Sequence, residues 1–251
     1  MRSQFPRRSR VSVFSRSIWS AKPEGGRLEP VNADCTFLVH ASKRYRRGGD
    51  PTVGPGCTEE TACAASGSPE VIVDLLTGVG AVLPNYARRF PNARIITVDL
   101  NPRLLANVRR NLEREGFTGI EVLVGDAREL PIPAYTADLV NISFGLHELK
   151  WLDRELVLGE ACRMLKPGGQ IIVADYGETG GIARRAAMRL YFFLFEPRWI
   201  RELFYGGLER QVLDAGFEVE SVRTDLPLTQ LILANKTLEG SCGAGHLKLV
   251  R

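Results

Sequence analysis

The sequence of 251 residues has no long apolar segment. Its longest strongly apolar run is Leu190–Phe195, whereas a helix that crosses a bilayer needs about 20 such residues. No stretch near the N-terminus has the apolar core of a secretory signal. We therefore expect neither a membrane-spanning helix nor secretion by a cleaved signal peptide.

Cysteine and histidine are scarce, since the chain contains five cysteines and three histidines. No Cys-x-x-Cys pair occurs, and the histidines lack the spacing of metal ligands. Cysteines scattered in this way suit a reducing compartment. The sequence therefore predicts no bound metal and favours a cytoplasmic location.

The net charge of +4 hides an asymmetry along the chain. Residues 1–50 carry 11 basic and 4 acidic residues, and the remainder carries 22 basic and 25 acidic residues. Residues 1–23 are rich in Arg and Ser and contain no acid. Three interpretations stay open for this arm: a mitochondrial transit peptide, an arm that binds nucleic acid, and a disordered or wrongly started N-terminus. The first would place the protein in the mitochondrial matrix.

Composition divides the chain into three parts. Residues 1–69 are basic and aperiodic and end in a segment rich in Gly, Pro, Ser and Thr, which predicts a poorly ordered extension and a linker. Residues 70–236 alternate short β-branched runs with helical patterns, which predicts an α/β domain with a mostly parallel sheet. Residues 237–251 form a tail without an assigned structure.

Seven strands are predicted within this domain, and the short link at 225–227 favours an antiparallel final pair. The strands are Val71–Leu75, Arg94–Leu100, Ile120–Gly125, Asp138–Phe144, Gln170–Asp175, Phe217–Thr224 and Leu228–Ala234. Helices are predicted over Ala81–Phe90, after an Asn101 cap, from an Asp153 cap to Leu165, and over Leu208–Ala215. An irregular helical region covers Ile182–Tyr205.

The segment Val71–Gly80 reads as a strand, a Gly-x-Gly turn and the start of a helix. Such a turn brings backbone N–H groups close to a ligand over the strand end. Acids also end later strands, at Asp99 and Asp126. Ligands of open α/β sheets bind outside the carboxyl ends of the strands, so these residues are expected to share one site.

Five motifs in order resemble those of class I S-adenosylmethionine-dependent methyltransferases, and most closely the group that includes the ubiquinone/menaquinone C-methyltransferases. The motifs are Val71–Gly80, Thr97–Asn101, Gly125–Ala127, Asp138–Leu149 and Leu165–Gly169. The resemblance covers about residues 70–234. It implies a Rossmann-like, doubly wound, seven-stranded sheet that is mostly parallel with the last strand antiparallel.

The resemblance also assigns roles to residues around S-adenosyl-L-methionine, the implied cofactor. It places Asp74, Gly78 and Gly80 at the methionine end, Asp99 at the ribose, Asp126 and Ala127 at the adenine, and Phe144 on the side of methyl delivery. Thr77, Leu100 and Ser143 complete the predicted cofactor-binding set. One departure stands out: Leu76 occupies the position of the first glycine of the family's Asp-x-Gly-x-Gly-x-Gly pattern.

His147 lies in the expected cleft, where a neutral imidazole can accept a proton from a substrate. The alternative is a histidine that only packs behind the cofactor. After the fifth strand, the stretch Tyr191–Tyr205 holds seven of the chain's 20 aromatic residues. We expect residues 181–206 to form a lid over an apolar acceptor, with membrane contact through residues 190–205; packing onto the domain or a homodimer contact are the alternatives.

The sequence thus predicts methyl transfer to a small apolar or aromatic acceptor by C- or O-methylation. One rival is an RNA methyltransferase that uses the basic arm. Against it, Asn141–Leu149 lacks the Asn/Asp-Pro-Pro-aromatic motif of many amine methylases, so nucleic acid is not the predicted partner. The other rival is a non-catalytic, methyltransferase-like binding module, for which Leu76 is the main argument.

Overall fold

Strand and helix alternate along the chain because β-branched runs are separated by capped helical segments. The computed structural model describes residues 55–178, 181–195, 198–224, 226 and 228–238. Its strands are β1 (Val71–Leu75), β2 (Arg94–Asp99), β3 (Ile120–Val124), β4 (Ala137–Ser143), β5 (Leu165–Tyr176), β6 (Phe217–Arg223) and β7 (Thr229–Lys236).

Seven α-helices accompany these strands within the described residues. They are α1 (Pro55–Ala64), α2 (Leu83–Arg89), α3 (Pro102–Arg114), α4 (Trp151–Met164), α5 (Ile182–Phe195), α6 (Arg198–Glu202) and α7 (Leu208–Asp214). A 3₁₀ turn covers Leu146–Glu148, and a π-helical turn covers Leu203–Gly207. No helix among these described residues is long and apolar enough to cross a membrane.

The seven strands form one sheet in the order β3-β2-β1-β4-β5-β7-β6. The first five run parallel, and β7 is antiparallel to both β5 and β6. This confirms the predicted fold class. The order reverses between β1 and β4, and at such a switch point a crevice opens outside the carboxyl ends of the strands.

Both faces of the sheet are buried. Alternate residues of a strand point to opposite faces, and Val73 of β1 joins one apolar cluster while Ile72 joins the other. In β5, Ile171 and Ile172 divide in the same way. Apolar residues at successive positions therefore dictate a central strand covered on both sides.

Three predicted features differ from the structure by more than a shift of one or two residues at the end of an element. Lys150 is the N-cap of α4 and Asp153 lies in its first turn, so the predicted Asp153 cap is wrong. Strand β5 begins at Leu165 rather than at Gln170, because Leu165 already pairs with Ala137 of β4 and the Lys-Pro-Gly-Gly segment forms an irregularity within the strand. The irregular helical region divides into α5, α6 and the π-helical turn.

Helix α1 packs on the domain although it lies within the predicted 1–69 extension. Ala62 and Ala65 are fully buried in the cluster on one face of the sheet. The guanidinium of Arg89 donates to the Ala65 carbonyl at 3.0 Å, and the Ser66 N–H donates to Gln170. The predicted arm at residues 1–50 and most of the tail at 237–251 lie outside the described residues.

Candidate active site

Asp74 lies beneath the glycine turn, at the end of β1, and only 1% of its surface is exposed. Its carboxylate accepts hydrogen bonds from Asn141 Nδ2 at 2.6 Å, Thr77 Oγ1 at 2.8 Å and Thr97 Oγ1 at 3.1 Å. Burial disfavours the charged form and raises the pKa of Asp74 to about 6, although these hydrogen bonds oppose the shift. The carboxylate therefore ties β1, β2 and β4 together below the turn.

Thr77 and Ser143 are drawn into the same network. The Thr77 hydroxyl accepts the Val98 N–H at 3.1 Å, besides its bond to Asp74. The Ser143 hydroxyl donates to Asn141 Oδ1 at 3.2 Å, an oxygen that also accepts the Tyr86 hydroxyl at 3.1 Å. These predicted cofactor-binding side chains thus brace the floor of the crevice.

Asp99 connects the end of β2 to the glycine turn. Its carboxylate accepts the Gly78 N–H at 2.8 Å on one oxygen and the Asn101 N–H at 2.8 Å on the other. A carboxylate has about four lone-pair sites, so it can still accept from a ligand. Asn101 in turn caps α3, because its side chain accepts from the N–H groups of Arg103 and Leu104.

The two glycines of the turn serve different purposes. Gly78 has φ of 54°, and a Cβ placed there would lie 4.0 Å from its nearest neighbour, the Leu76 carbonyl oxygen, with open space beyond. Gly80 has φ of 72°, and a Cβ there would come within 2.9 Å of Val108 Cγ1. Gly78 therefore leaves room beside the turn, whereas Gly80 allows α3 to pack closely.

Leu76 keeps the backbone geometry that a glycine would favour. Its φ is 55°, a left-handed conformation that costs a residue with a Cβ roughly 1–2 kcal/mol. Its side chain packs against the apolar cluster that contains Leu75. The turn thus forms in spite of this departure from the family's pattern.

Arg128, which the sequence analysis missed, holds the loop after β3. Its guanidinium bridges Asp126 Oδ2 at 2.6 Å and Asp153 Oδ1 at 2.6 Å. The hydrogen bond to Arg128 lowers the pKa of Asp126. Ala127 is buried, while Leu100, directly after β2, is 66% exposed. The Asp-x-Arg spacing of Asp126 and Arg128 is the sequence signal from which this ion pair could have been found.

His147 is paired with Asp175, a second residue that the sequence analysis did not assign. His147 Nδ1 lies 2.8 Å from Asp175 Oδ1, and the His147 backbone N–H donates to Asp175 Oδ2 at 3.1 Å. Asp175 is fully buried at the end of β5. The sequence signal for this pairing was an acid at the predicted end of the fifth strand, two elements after the histidine. With Nδ1 bonded to the carboxylate, Nε2 is the nitrogen that can accept a proton.

Two opposing effects set the charge of His147. Burial disfavours the imidazolium, but the hydrogen bond and charge of Asp175, assisted by Glu148, outweigh it and raise the pKa of His147. The imidazole packs edge-to-face on Tyr176 with ring centroids 4.7 Å apart. The Phe144 ring also packs edge-to-face on Tyr176, with ring centroids 5.8 Å apart.

Asp74, Asp99, Asp126 and Asp175 therefore lie at or next to the carboxyl ends of the parallel strands, and Asp99 contacts the glycine turn directly. This arrangement of sheet, glycine turn and strand-end acids agrees with the resemblance to class I S-adenosylmethionine-dependent methyltransferases. Residues 72–169 match a family model described as a methyltransferase domain.

Two curated methyltransferases are similar to this chain in sequence. The chain is 35% identical over 141 residues to a demethylmenaquinone methyltransferase of Thermus thermophilus, which covers 56% of this chain and 60% of that protein. It is 36% identical over 140 residues to a ubiquinone/menaquinone biosynthesis C-methyltransferase of Syntrophotalea carbinolica, which covers 55% and 56% of the two proteins. The chain thus matches little more than half the length of these relatives.

Solved structures share the fold. An S-adenosylmethionine-dependent methyltransferase from Aquifex aeolicus aligns with a TM-score of 0.57 and 18% identity, over 80% of this chain and 98% of that one. A second, from Methanosarcina mazei, aligns with a TM-score of 0.57 and 19% identity, over 69% and 95%. Together these findings confirm the predicted resemblance to methyltransferases. They do not favour the RNA methyltransferase or the binding module.

Proposed function

We propose that this protein transfers a methyl group from S-adenosylmethionine to a small, apolar or aromatic acceptor. The observation that carries the proposal is the hydrogen bond between the Gly78 N–H and Asp99. It sets a carboxylate with remaining acceptor capacity beside a turn that has open space in front of it. Leu100 adds an exposed apolar surface at the same strand end.

These residues fit the cofactor. The hydroxyl groups of a ribose can donate hydrogen bonds to the Asp99 carboxylate. Leu100 and the backbone at Ala127 offer an apolar and a polar contact of the kind an adenine takes up. Asp74 supports this arrangement from below, since its carboxylate is occupied by Thr77, Thr97 and Asn141.

When bound, S-adenosylmethionine supplies a methyl group already activated on a sulfonium centre. The protein then has to align the acceptor, exclude water and remove a proton where the acceptor carries one. We assign the last task to His147 Nε2. Asp175 holds the ring in one tautomer and stabilises the imidazolium that forms when the proton arrives.

The acceptor class follows from the surroundings of His147. The rings of His147 and Phe144 each contact the ring of Tyr176, and the three form an aromatic wall beside the site. Such a wall suits a flat ring bearing a hydroxyl group. The names of the curated relatives support a reduced quinone as that ring, and methylation at carbon as the reaction.

Incubation with methyl-labelled S-adenosylmethionine tests the proposal. Reduced naphthoquinones without the methyl group are expected to become labelled, and phenols, lipids and RNA serve as competing acceptors. The Asp99→Ala variant should lose labelling. Glu121 is an exposed acid on β3 that pairs with Arg94 of β2, so the Glu121→Gln variant should keep it. If phenol or RNA became labelled and the quinol did not, the proposed acceptor class would be wrong. Absence of cofactor binding in a calorimetric titration would reject methyl transfer itself.

A further inference from the structure

Helix α5 carries an apolar face that the described part of the domain leaves uncovered. At 3.6 residues per turn, seven small or apolar positions fall on one side of this helix. All seven are exposed: Ile182, Ala183, Ala186, Ala187, Leu190, Phe193 and Leu194. Exposure reaches 87% at Ile182 and 64% at Phe193. A contiguous surface of this kind is uncommon on a domain that acts without a partner.

Contacts at Arg189 and Phe193, along one edge of this face, fix the helix to the domain. The Tyr205 hydroxyl donates to the Arg189 carbonyl at 3.1 Å, and the Arg189 guanidinium lies 5.7 Å from the centre of the Tyr205 ring. Arg201 donates to the Phe193 carbonyl at 3.2 Å, and its guanidinium lies 5.2 Å from the centre of the Phe193 ring, which stays 64% exposed. Next to Tyr205, Leu203 and Phe204 are fully buried. The apolar face is therefore presented outward from an anchored helix.

The charges of α5 have one sign. Its sequence contains three arginines and no acid. Arg185 and Arg189 stand one turn apart along one edge of the apolar face, and both are exposed. The guanidinium of Arg189 pairs with Glu178, so Arg185 is the residue of this edge that we assign to the docking surface. An apolar face bordered by cations is the pattern of a helix that lies in the headgroup region of an anionic bilayer.

A second copy of the chain fits this face less well. In a two-fold dimer the same patch meets itself, which would bring two arginine-edged surfaces together. Like charges placed opposite each other oppose association. An anionic lipid surface complements the same edge.

We propose that α5 docks the protein on an anionic membrane surface, with the side chains of Leu190 and Phe193 entering the apolar layer. The docking surface consists of the seven positions named above together with Arg185. It stands apart from the methyl-transfer proposal, because binding to lipid can be measured without cofactor or acceptor.

Vesicle co-sedimentation of the full chain tests the docking. The protein is expected to sediment with vesicles that contain phosphatidylglycerol and to bind vesicles of phosphatidylcholine alone less tightly. Leu190→Glu and Phe193→Glu should each weaken binding roughly tenfold or more. Leu213→Glu, at an exposed leucine of α7, is the matched control and should bind as the wild type does. The basic N-terminal arm is present in every variant, so differences between variants report α5.

Depth of insertion provides a second measurement. Tryptophan introduced by Phe193→Trp should gain fluorescence quenching from lipids brominated on their acyl chains, whereas tryptophan introduced by Leu213→Trp should not. Equal binding of all variants, or no added quenching at position 193, would overturn the proposal. A wild-type dimer that Leu190→Glu dissociates, with vesicle binding unchanged, would assign the face to self-association instead. Loss of methyl transfer with unchanged vesicle binding would assign it to the acceptor site.

Discussion

Gly145 packs its backbone against the side chain of Leu76: a Cβ placed on Gly145 would lie 2.5 Å from Leu76 Cβ. Gly145 has φ of −125° and ψ of −28°, a conformation open to other residues. Its lack of a side chain is thus a matter of space and not of backbone freedom. The bulk that Leu76 brings to the turn after β1 is accommodated by a glycine in the segment after β4.

This contact predicts a coupling between two substitutions. Gly145→Ala should lower the free energy of unfolding by about 1–3 kcal/mol, because the new methyl group clashes with Leu76. Adding Leu76→Gly removes the clash, so the double variant should recover about 1 kcal/mol or more relative to additivity. Urea unfolding of the four proteins measures the cycle. Gly159→Ala is the matched control: it meets no atom within 4 Å in helix α4 and should leave stability unchanged or raised. Strictly additive effects would contradict the contact.

Asp99 is expected to dominate cofactor affinity. Asp99→Ala removes charge-assisted acceptors and frees the Gly78 N–H, so binding of S-adenosylmethionine should weaken by about 1.5–3 kcal/mol. Asp99→Asn keeps one acceptor oxygen and should weaken it less. Calorimetric titration measures both, with Glu121→Gln as the control. Unchanged affinity in Asp99→Ala would show that the ribose binds elsewhere.

The pair of His147 and Asp175 predicts the pH dependence of the reaction. A base must be neutral to accept a proton, and the raised pKa of His147 means that this form is lost at a higher pH than for an ordinary imidazole. The rate should therefore fall on the acid side with an apparent pKa above 6.5. Asp175→Asn should move that limb to lower pH.

Substitution of the base separates catalysis from packing. His147→Gln should reduce the rate constant of methyl transfer by about 10²–10⁴-fold and abolish the acid limb, with cofactor affinity nearly unchanged. Single-turnover rates and calorimetry give the two quantities. A variant that keeps the acid limb would show that another group is the base.

Asp74 predicts a pH dependence of stability. Its folded-state pKa of about 6 lies above the ordinary value of 3.8, so the folded state holds the proton more tightly than the unfolded state does. The stabilisation is complete below pH 4 and is lost as the pH rises towards and through 6. The free energy of unfolding should fall by about 3 kcal/mol over this range. Urea unfolding across this range, compared with Asp74→Asn, should show that the substitution removes this slope. An unchanged slope would contradict the assignment to Asp74.

Much of the domain was determined by the sequence alone. Strand β1 was predicted with its observed bounds, and the cap at Asn101 follows from a local rule, since its side chain bonds to N–H groups two and three residues on. The crevice followed as well, because parallel strands bring their carboxyl ends to one edge. Periodicity, caps and turn residues act within a few positions of the chain, so a linear pattern contains them.

Tertiary structure decided what each of these residues touches. Only the packing of β1, β2 and β4 buries Asp74, and only the return of β5 brings Asp175 to His147 across 28 positions of the chain. The bridge from Asp126 through Arg128 to Asp153 and the fit of Leu76 over Gly145 likewise join segments far apart in sequence. Such contacts depend on side-chain directions that the folded sheet sets, and no local pattern specifies them.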